Sequence, residues 1–219
     1  MTFRAEGGIM TPMTLPAEKR RYSVGEYLRI ERDSSQKHEF HFGEILAMSG
    51  GTPEHSLIAT NILGELRSQL KGKRCRVYDS NLRVCVSSTG QYVYPDGTVV
   101  CGPLQFDPND ARQETVTNPR VIVEVLSQST ESYDRKGKFD AYRKIDSLEE
   151  YVLVSQDEPR IEVLFRQGDG SWAITVFTGM DCSAKLRSIQ IELQLTEAFA
   201  DVEFPPKPLE PQVDASKQK

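Results

Sequence analysis

The clearest helical pattern in the chain follows Thr52 and Pro53, where apolar residues recur every three or four positions. Thr52 can cap the first turn and Pro53 suits a helix start, whereas Gly72 is placed to end the helix. This stretch therefore predicts one long helix with a single apolar side. The recurring residues are Leu57, Ile58, Ile62, Leu63, Leu66 and Leu70.

Two further helices are predicted, one before and one after this helix along the chain. Ser23 and Glu26 have the spacing of a capping box, in which each side chain satisfies a free amide at a helix start. A short helix should therefore run to about Arg32. Ser129 is placed to cap another helix that continues through Lys144. Its apolar side would carry Phe139, Tyr142 and Ile145.

Alternating and continuous apolar runs predict the strands. A hairpin is expected from His38–Phe42 and Glu44–Met48, with Gly43 supplying the turn. The polar stretch from Gly102 to Asn118 reads as a long loop. The order of elements predicts an α/β fold with a mixed sheet flanked by helices. The other predicted strands are Cys75–Tyr78, Leu82–Val86, Gly97–Cys101, Arg120–Leu126, Tyr151–Val154, Ile161–Phe165 and Trp172–Phe177.

Composition limits the domain organisation. The chain has 219 residues, of which 38% are hydrophobic and 27% charged, and this suits one domain over residues 21–204. Residues 1–20 and 205–219 are predicted to be disordered tails, because they offer little to bury. No apolar run approaches the roughly 20 residues that span a bilayer, and Met1–Arg21 lacks the apolar core of a signal peptide. A cytoplasmic protein is therefore expected.

The cysteines and the net charge bear on cofactors and partners. Cys75, Cys85, Cys101 and Cys182 lie far apart without a CxxC pair, so reduced thiols are expected rather than a zinc site or a disulfide framework. A net charge of −5 argues against a protein that coats nucleic acid nonspecifically. It leaves room for local phosphate contacts.

Glu124 is the most informative single position. It lies within the run Val121–Leu126, where both faces of the predicted strand are apolar, as in a central strand. An unpaired carboxylate buried there would be costly, so Glu124 should have a cation, a metal or a hydrogen-bonding partner. The alternatives are a carboxylate that points to a sheet edge or a structural pair with an arginine.

Asp96 is the second acidic candidate. It follows Tyr94 and Pro95 and precedes Gly97, so it is expected at a bend beside a strand. The ordinary alternative is a turn aspartate, since Pro-Asp-Gly is a common turn sequence.

The basic segment after the Glu124 strand supplies the candidate lysine. On a helix, Asp134 and Lys138 are four residues apart and share a face. One interpretation is an exposed ion pair between them, and the other turns Lys138 back towards Glu124. Lys136 would face elsewhere and is the weaker candidate.

Glu39 and His55 are weaker candidates. Glu39 alternates with Phe40 and Phe42, a pattern that usually turns a charge to solvent, and His55 sits in the first turn of the long helix, where a histidine is often structural. The chain has no GxSxG, P-loop, GxGxxG or HExxH pattern, which argues against acyl transfer, NTP hydrolysis, dinucleotide binding and zinc proteolysis.

At these residues the chain resembles the Uma-type restriction endonucleases, a bacterial branch of the PD-(D/E)xK nuclease superfamily. The resemblance runs from about Tyr22 to Phe204. It implies a restriction-endonuclease-like central mixed β-sheet flanked by helices. The stretches that carry it are Tyr22–Leu28, His38–Ile45, His55, Tyr94–Asp96, Val123–Ser127, Asp134, Lys138, Tyr142 and Glu150–Val154.

The resemblance also implies roles. Asp96 and Glu124 would hold Mg²⁺ or Mn²⁺, which activates a water and stabilises charge on a scissile phosphate. A lysine would orient the water or stabilise the transition state, and Glu39 would complete the site. The superfamily usually keeps this lysine two residues after the second acid, where this chain has Leu126. Lys138 on the next helix is the expected replacement, with His55 and Lys136 as accessory candidates.

Two functions follow from these observations. The first is a metal-dependent endonuclease that hydrolyses DNA, with a homodimer expected if both strands are cut. The second is a weak or inactive nuclease fold that binds nucleic acid or protein, which the acidic pI and the missing lysine favour. The basic run Lys71, Lys73, Arg74 and Arg76 could contact phosphates or form a solvated helix end.

Overall fold

The computed structural model describes residues 20–127 and 131–205. The helices are α1 (Val24–Asp33), α2 (Pro53–Leu70), α3 (Phe139–Tyr142) and α4 (Leu195–Ala198), and a π-helix (Tyr133–Lys138) precedes α3. The strands are β1 (His38–His41), β2 (Glu44–Ala47), β3 (Cys75–Asp79), β4 (Arg83–Val86), β5 (Gln91–Val93), β6 (Gly97–Cys101), β7 (Thr115–Val116), β8 (Val121–Leu126), β9 (Glu150–Ser155), β10 (Arg160–Arg166), β11 (Trp172–Thr178), β12 (Ser183–Leu186) and β13 (Ile191–Gln194).

A six-stranded mixed sheet forms the centre of the molecule, in the order β11-β10-β9-β8-β6-β3. β8 and β9 run parallel, and the other pairs are antiparallel. All six residues of β8 are buried, which explains its uninterrupted apolar sequence. The α/β class with a mixed sheet and flanking helices is therefore confirmed.

The long helix α2 covers one face of this sheet. Its buried side carries Ile58, Ile62, Leu66 and Leu70, which belong to the same core cluster as Val123 of β8. A second cluster covers the opposite face and includes Tyr142 of α3 and Tyr151 of β9. The opposite face is thus covered by α3 together with apolar residues of β4, β5 and β7, so a central strand without polar alternation is buried on both sides.

A five-stranded sheet, in the order β2-β1-β5-β4-β7, lies beside the amino-terminal helix α1. The predicted hairpin is confirmed, with Phe40 opposite Ile45. The predicted capping box is also confirmed, because the side chains of Ser23 and Glu26 each accept from the backbone amide of the other. Tyr27 of α1 packs in the core cluster of this sheet.

The segment predicted to be a loop from Gly102 to Asn118 contains the short strand β7. Asp110 orders this segment, because its carboxylate accepts from the backbone amides of Arg112 and Glu114. Here a side chain satisfies backbone amides that the hydrogen bonds of a regular strand would otherwise satisfy. The hydrophobic pattern of the sequence does not reveal such contacts. The short elements β5, β12, β13 and α4 were also missed.

The helix expected from Ser129 to Lys144 differs in form. Ser129 lies outside the described residues, and the segment that follows is π-helical from Tyr133 to Lys138 before it becomes α3. π-Helical turns are rare and frequently occur at functional sites.

The expectation of reduced thiols was wrong for two of the four cysteines. Cys75 and Cys101 are joined by a disulfide, whereas Cys85 and Cys182 are free. The two bonded residues are direct cross-strand partners in the antiparallel pair of β3 and β6. Their separation of 26 residues along the chain concealed a proximity that only the register creates.

The structure describes little of the two predicted tails, and it bears on whether a helix could span a membrane. Apart from Arg20 and Pro205, the two predicted tails fall beyond the described ranges, so their disorder stays a prediction. Within the part of the chain that the structure describes, no helix combines the length and apolar character that crossing a bilayer would need.

Candidate functional site

A cleft of about 630 Å³ opens where the first turn of α2, the start of β6, the end of β8 and the π-helix meet. Gly97 allows α2 to approach β6 closely here, because a Cβ atom at this position would lie 2.8 Å from Cδ2 of Leu63. The cleft thereby brings together five titratable side chains that are distant along the chain. They are His55, Asp96, Glu124, Asp134 and Lys138.

Asp96 precedes β6 and points its carboxylate towards β8. Its Oδ2 accepts a hydrogen bond from the backbone amide of Val125 at 2.8 Å and lies 3.2 Å from Nε2 of His55. The hydrogen bond to Asp96 is the main reason that the pKa of His55 is raised, and it outweighs the opposing effect of burial. Asp96 is thus held by a backbone amide and an imidazole, with a fifth of its side chain exposed.

Glu124 is buried in the middle of β8, with 3% of its surface exposed. Its Oε1 accepts a hydrogen bond from the hydroxyl of Tyr142 at 2.8 Å and lies 3.1 Å from Nζ of Lys138. Burial raises the pKa of Glu124 to about 8; Lys138 opposes this rise and the charge of Asp96 adds to it. The carboxylate therefore has both a cation and a hydroxyl partner, and the arginine alternative is replaced by a lysine.

Lys138 is the cation at the centre of the acidic group. Its Nζ lies 3.0 Å from Oδ1 of Asp134 and 3.1 Å from Oε1 of Glu124, so both contacts expected for this lysine form at once. Burial would lower the pKa of Lys138, but the neighbouring carboxylates, Glu124 first, raise it. Lys136 is exposed on the same π-helix and does not line the cleft.

Glu39 is buried rather than solvent-facing. Its Oε2 lies 2.9 Å from Nε2 of His41, and its Oε1 accepts from the backbone amide of Tyr94 at 3.4 Å. Burial would raise the pKa of Glu39, but the contacts with His41 and Lys138 lower it. Glu39 does not line the cleft, so it contributes to the field at Lys138 from within the protein.

Sequence reasoning missed the two side chains that position these acids. Tyr142 was assigned to an apolar side, but its hydroxyl donates to Glu124. His41 was not singled out, yet it contacts Glu39, Gln91 and Tyr133. The spacing of Glu39 and His41 on one face of a strand was the available indication for His41.

The basic run lies at the far end of α2. Lys71 is the C-cap residue of that helix, and Lys73 and Arg74 are exposed in the turn before β3. These residues do not line the acidic cleft. Lys71 and Arg76 instead line a separate cavity.

The acidic group contains more carboxyl groups than cations. Glu124, Asp134 and Glu39 lie around Lys138, and Asp96 acts on Glu124. The other basic side chains that line the cleft are His55 and Lys37, and Lys37 donates to the backbone oxygen of Ser80. Several carboxyl groups beside a solvent-connected cleft fit a hard divalent cation, and Mg²⁺ commonly takes one or two protein carboxylates and several waters. No group of three or more His, Cys, Asp or Glu is arranged to hold a metal within residues 20–127 and 131–205. The donor chemistry thus fits an ion held by two carboxylates.

Two relatives from Synechocystis sp. match most of this chain in sequence. The uncharacterized proteins slr1290 and sll1609 of Synechocystis sp. are 34% identical over 183 residues and 31% identical over 179 residues, respectively. These alignments cover 83% and 82% of this chain and 93% and 100% of the relatives.

A solved structure shares the architecture. The crystal structure of a putative nuclease belonging to DUF820 from Anabaena variabilis superposes with a TM-score of 0.66 at 18% identity. The match covers 81% of this chain and 97% of that one, and at this identity it shows the fold alone. The profile of the Uma2 family, described as putative restriction endonuclease, matches residues 24–198. The resemblance noted from the sequence is confirmed, and the chain belongs to the Uma2 family.

Proposed function

We propose that the protein is a metal-dependent endonuclease that hydrolyses phosphodiester bonds in DNA. The observation that carries this proposal is the excess of carboxylates around one lysine in a cleft, in a chain of the Uma2 family. Buried clusters of carboxyl groups that outnumber the neighbouring cations are typical of active sites. The cytoplasmic location expected from the sequence remains part of this proposal.

Asp96 and Glu124 would hold Mg²⁺ or Mn²⁺. When bound, the ion would lower the pKa of a water and neutralise charge that develops on the phosphate. His55 and the amide of Val125 fix the orientation of the Asp96 carboxylate. Tyr142 does the same for Glu124.

Lys138 takes the place of the superfamily lysine that is missing at Leu126. Its ammonium reaches Glu124 from the π-helix rather than from the same strand. A cation held at this point can stabilise the extra negative charge of the phosphorane-like transition state. Asp134 holds the ammonium from the other side, and Glu39 strengthens the field that keeps it charged.

Metal binding can be tested by thermal and chemical unfolding of the purified chain with and without Mn²⁺ or Mg²⁺. At 100 times the dissociation constant, an ion that binds only the folded state adds about 2.7 kcal/mol, or roughly 5–10 °C in Tm for a chain of this size. We expect Glu124→Gln to lose this shift.

Glu150→Gln is the matched control. Glu150 is another carboxylate buried in the central sheet, but Arg187 and Ser188 hold it outside the cleft. Its variant should keep the metal-dependent shift even if its basal stability is lower. A wild-type Tm that does not respond to either ion would contradict the metal site.

Cleavage is tested separately on supercoiled, linear and single-stranded DNA. We expect nicking or cutting with Mn²⁺ or Mg²⁺ that Glu124→Gln and Asp96→Asn abolish. Intact DNA under all these conditions, combined with a salt-dependent gel shift, would instead support the second function, a nuclease fold that binds without cutting.

A homodimer is part of the nuclease proposal, because one site per chain cuts one strand at a time. Sedimentation with and without duplex DNA would test it. A chain that stays monomeric on DNA while it makes double-strand breaks would remove the dimer from the proposal and leave the metal site unaffected.

A further inference from the structure

A continuous groove leads away from the acidic cleft along the side of α2. A second cavity of about 580 Å³ shares Thr60, Leu63 and Asp79 with the cleft. A third cavity, of about 630 Å³, shares Gly64 and Arg67 with the second. Because each cavity shares walls with the next, the three form one path from the amino-terminal to the carboxyl-terminal end of α2.

Two elements make the walls of this path. On α2 the lining residues recur at intervals of three and four, as they must to share one helical face. This face adjoins the buried face that packs on the central sheet, and Leu70 belongs to both. The opposite wall is β3, the edge strand of that sheet, which contributes Val77 and Tyr78. The α2 residues are Thr60, Leu63, Gly64, Arg67 and Ser68, followed by the C-cap residue Lys71.

The two ends of the groove carry opposite charge. The cleft at one end holds the carboxylates around Lys138, and the cavity at the other end is lined by Arg67, Lys71 and Arg76. Asp79 is the acidic residue that lines the middle. All three basic residues are exposed, and across residues 20–127 and 131–205 none of them forms an ion pair with a carboxylate. Arg76 is held in place by its hydrogen bonds to the backbone oxygens of Lys73 and Cys75.

We propose that this groove binds one strand of nucleic acid, with the scissile phosphate in the acidic cleft and the phosphates beyond it at the basic end. The substrate class rests on the proposed function, whereas the path and the residues Arg67, Lys71 and Arg76 come from the groove. Phosphates far from the metal require cations of the protein itself, and the three basic side chains supply them at the point where the groove ends.

The length of the groove sets the number of nucleotides. From His55 to Lys71, α2 extends roughly 24 Å at about 1.5 Å per residue. A stacked strand advances about 3.4 Å per nucleotide, so roughly seven nucleotides fit between the cleft and the basic end. Tyr78, which lines both distal cavities, offers an aromatic ring on which a base can stack.

Binding is measured by fluorescence anisotropy of the full chain with a labelled 12-nucleotide single strand in EDTA, so that no cleavage occurs. We expect the double variant Arg67→Glu with Arg76→Glu to weaken binding by about tenfold or more, because two phosphate contacts become repulsive. The control is Lys144→Glu, a reversal of an exposed charge that lines none of the three cavities. It should change affinity by less than about twofold.

The salt dependence gives a second readout. For single-stranded nucleic acid, the slope of log affinity against log salt falls by about 0.7 for every phosphate that the protein no longer neutralises. Arg67→Ala with Arg76→Ala should therefore lower the slope by about 1.4. In a series of shorter strands, affinity should rise up to roughly seven nucleotides and then level off.

Three outcomes would overturn the proposal that the groove binds a strand of nucleic acid. They are a double reversal that binds as tightly as Lys144→Glu, an affinity independent of strand length, and equal competition by a polyglutamate peptide of the same charge. Unchanged circular dichroism and an unchanged Mn²⁺-dependent Tm shift would show that the variants are folded. Glu124→Gln should lose the metal response and retain strand binding. A wild-type Tm that responds to neither ion, combined with unchanged strand binding, would count against the proposed function and leave the groove intact.

Discussion

Two buried groups of charged residues in this molecule have opposite designs. In the first, which we term the Arg83 cluster, Arg83 donates to Asp110, Thr115 and the hydroxyl of Tyr94 at 2.7–3.1 Å. In the second, the Lys138 cluster, one lysine faces Glu124 and Asp134, with Glu39 nearby. The first pairs one buried cation with one buried anion, whereas the second gathers several anions around one cation.

This difference separates buried charges that stabilise the fold from buried charges that belong to a candidate active site. The guanidinium of Arg83 is satisfied on three sides, and none of its partners apart from Tyr94 lines the acidic cleft. The Lys138 cluster gathers more carboxyl groups than cations beside solvent, and burial with the neighbouring charges raises the pKa of Glu124 to about 8. A protein accepts such a cost where an added ion or substrate offsets it. Burial alone does not distinguish the two clusters, because Asp110 in the first and Glu124 and Asp134 in the second are all nearly inaccessible.

The largest effect is expected from Arg83→Met. The substitution removes the cation and leaves Asp110 buried without its charge partner, which costs about 3–5 kcal/mol of unfolding free energy. Urea denaturation in EDTA measures it. The Mn²⁺-dependent gain in stability should stay at the wild-type value, because Arg83 lies outside the cleft.

A loss of metal response in folded Arg83→Met would contradict the division into two clusters. Arg112→Met is the control on the same segment. Its side chain is about half exposed and pairs only at 4.0 Å with Glu114, so its removal should cost little.

Lys138→Met should have the next largest effect. It leaves Glu124 and Asp134 without a cation, at a cost of about 2–4 kcal/mol, somewhat below the Arg83 value because a buried carboxyl can take up a proton. Lys136→Met, on the same π-helix but exposed, should change the free energy of unfolding by less than about 0.5 kcal/mol.

Activity should separate these two lysines as well. If the proposed function holds, Lys138→Met abolishes DNA cleavage under conditions in which it is fully folded, and Lys136→Met cleaves like the wild type. Equal cleavage by both variants would move the catalytic lysine away from position 138.

The sequence was sufficient for the parts of the fold that depend on long periodic patterns. The 18-residue helix α2, the buried strand β8 and the first hairpin all appear as predicted, because each buries a regular set of side chains. The same logic identified Glu124, since a carboxylate inside an apolar strand is anomalous without any knowledge of its neighbours. Asp96 depended on the family resemblance, because Pro-Asp-Gly is equally a turn.

The features that the sequence did not reveal depend on the register of paired strands or on single side-chain contacts. The disulfide between Cys75 and Cys101 exists because β3 and β6 pair in one register. Tyr142 was assigned to the core, and its ring is indeed buried there. Its role at the site comes from the hydroxyl, which donates to Glu124. The two Arg83 partners Asp110 and Thr115 lie in a segment that carries no periodic pattern, so the whole Arg83 cluster went unnoticed.

The smallest effect tests the acid sensitivity of the Arg83 cluster. Burial would raise the pKa of Asp110, but hydrogen bonds from Thr115 and Arg83 lower it below its ordinary value of 3.8. Its contribution to stability is therefore complete above pH 3.8 and is lost as the pH falls through the lowered pKa of the folded state. Asp110→Asn should cost about 1–2 kcal/mol at neutral pH, less than Arg83→Met, because the asparagine oxygen can still accept from Arg83 and Thr115.

This cost should shrink towards zero as the pH falls below 3.8, because the wild-type carboxyl is then protonated as well. Urea denaturation of both proteins at several pH values, from neutral to strongly acidic, measures the difference. Asp169→Asn is the matched control, since the pKa of this exposed turn aspartate is also lowered, but by Ser171 in a local turn. A pH-independent cost for Asp110→Asn would mean that its hydrogen bonds, rather than its charge, hold the segment from Gly102 to Asn118. The pairing of one cation with one anion, which distinguishes the Arg83 cluster from the Lys138 cluster, would then contribute little to stability.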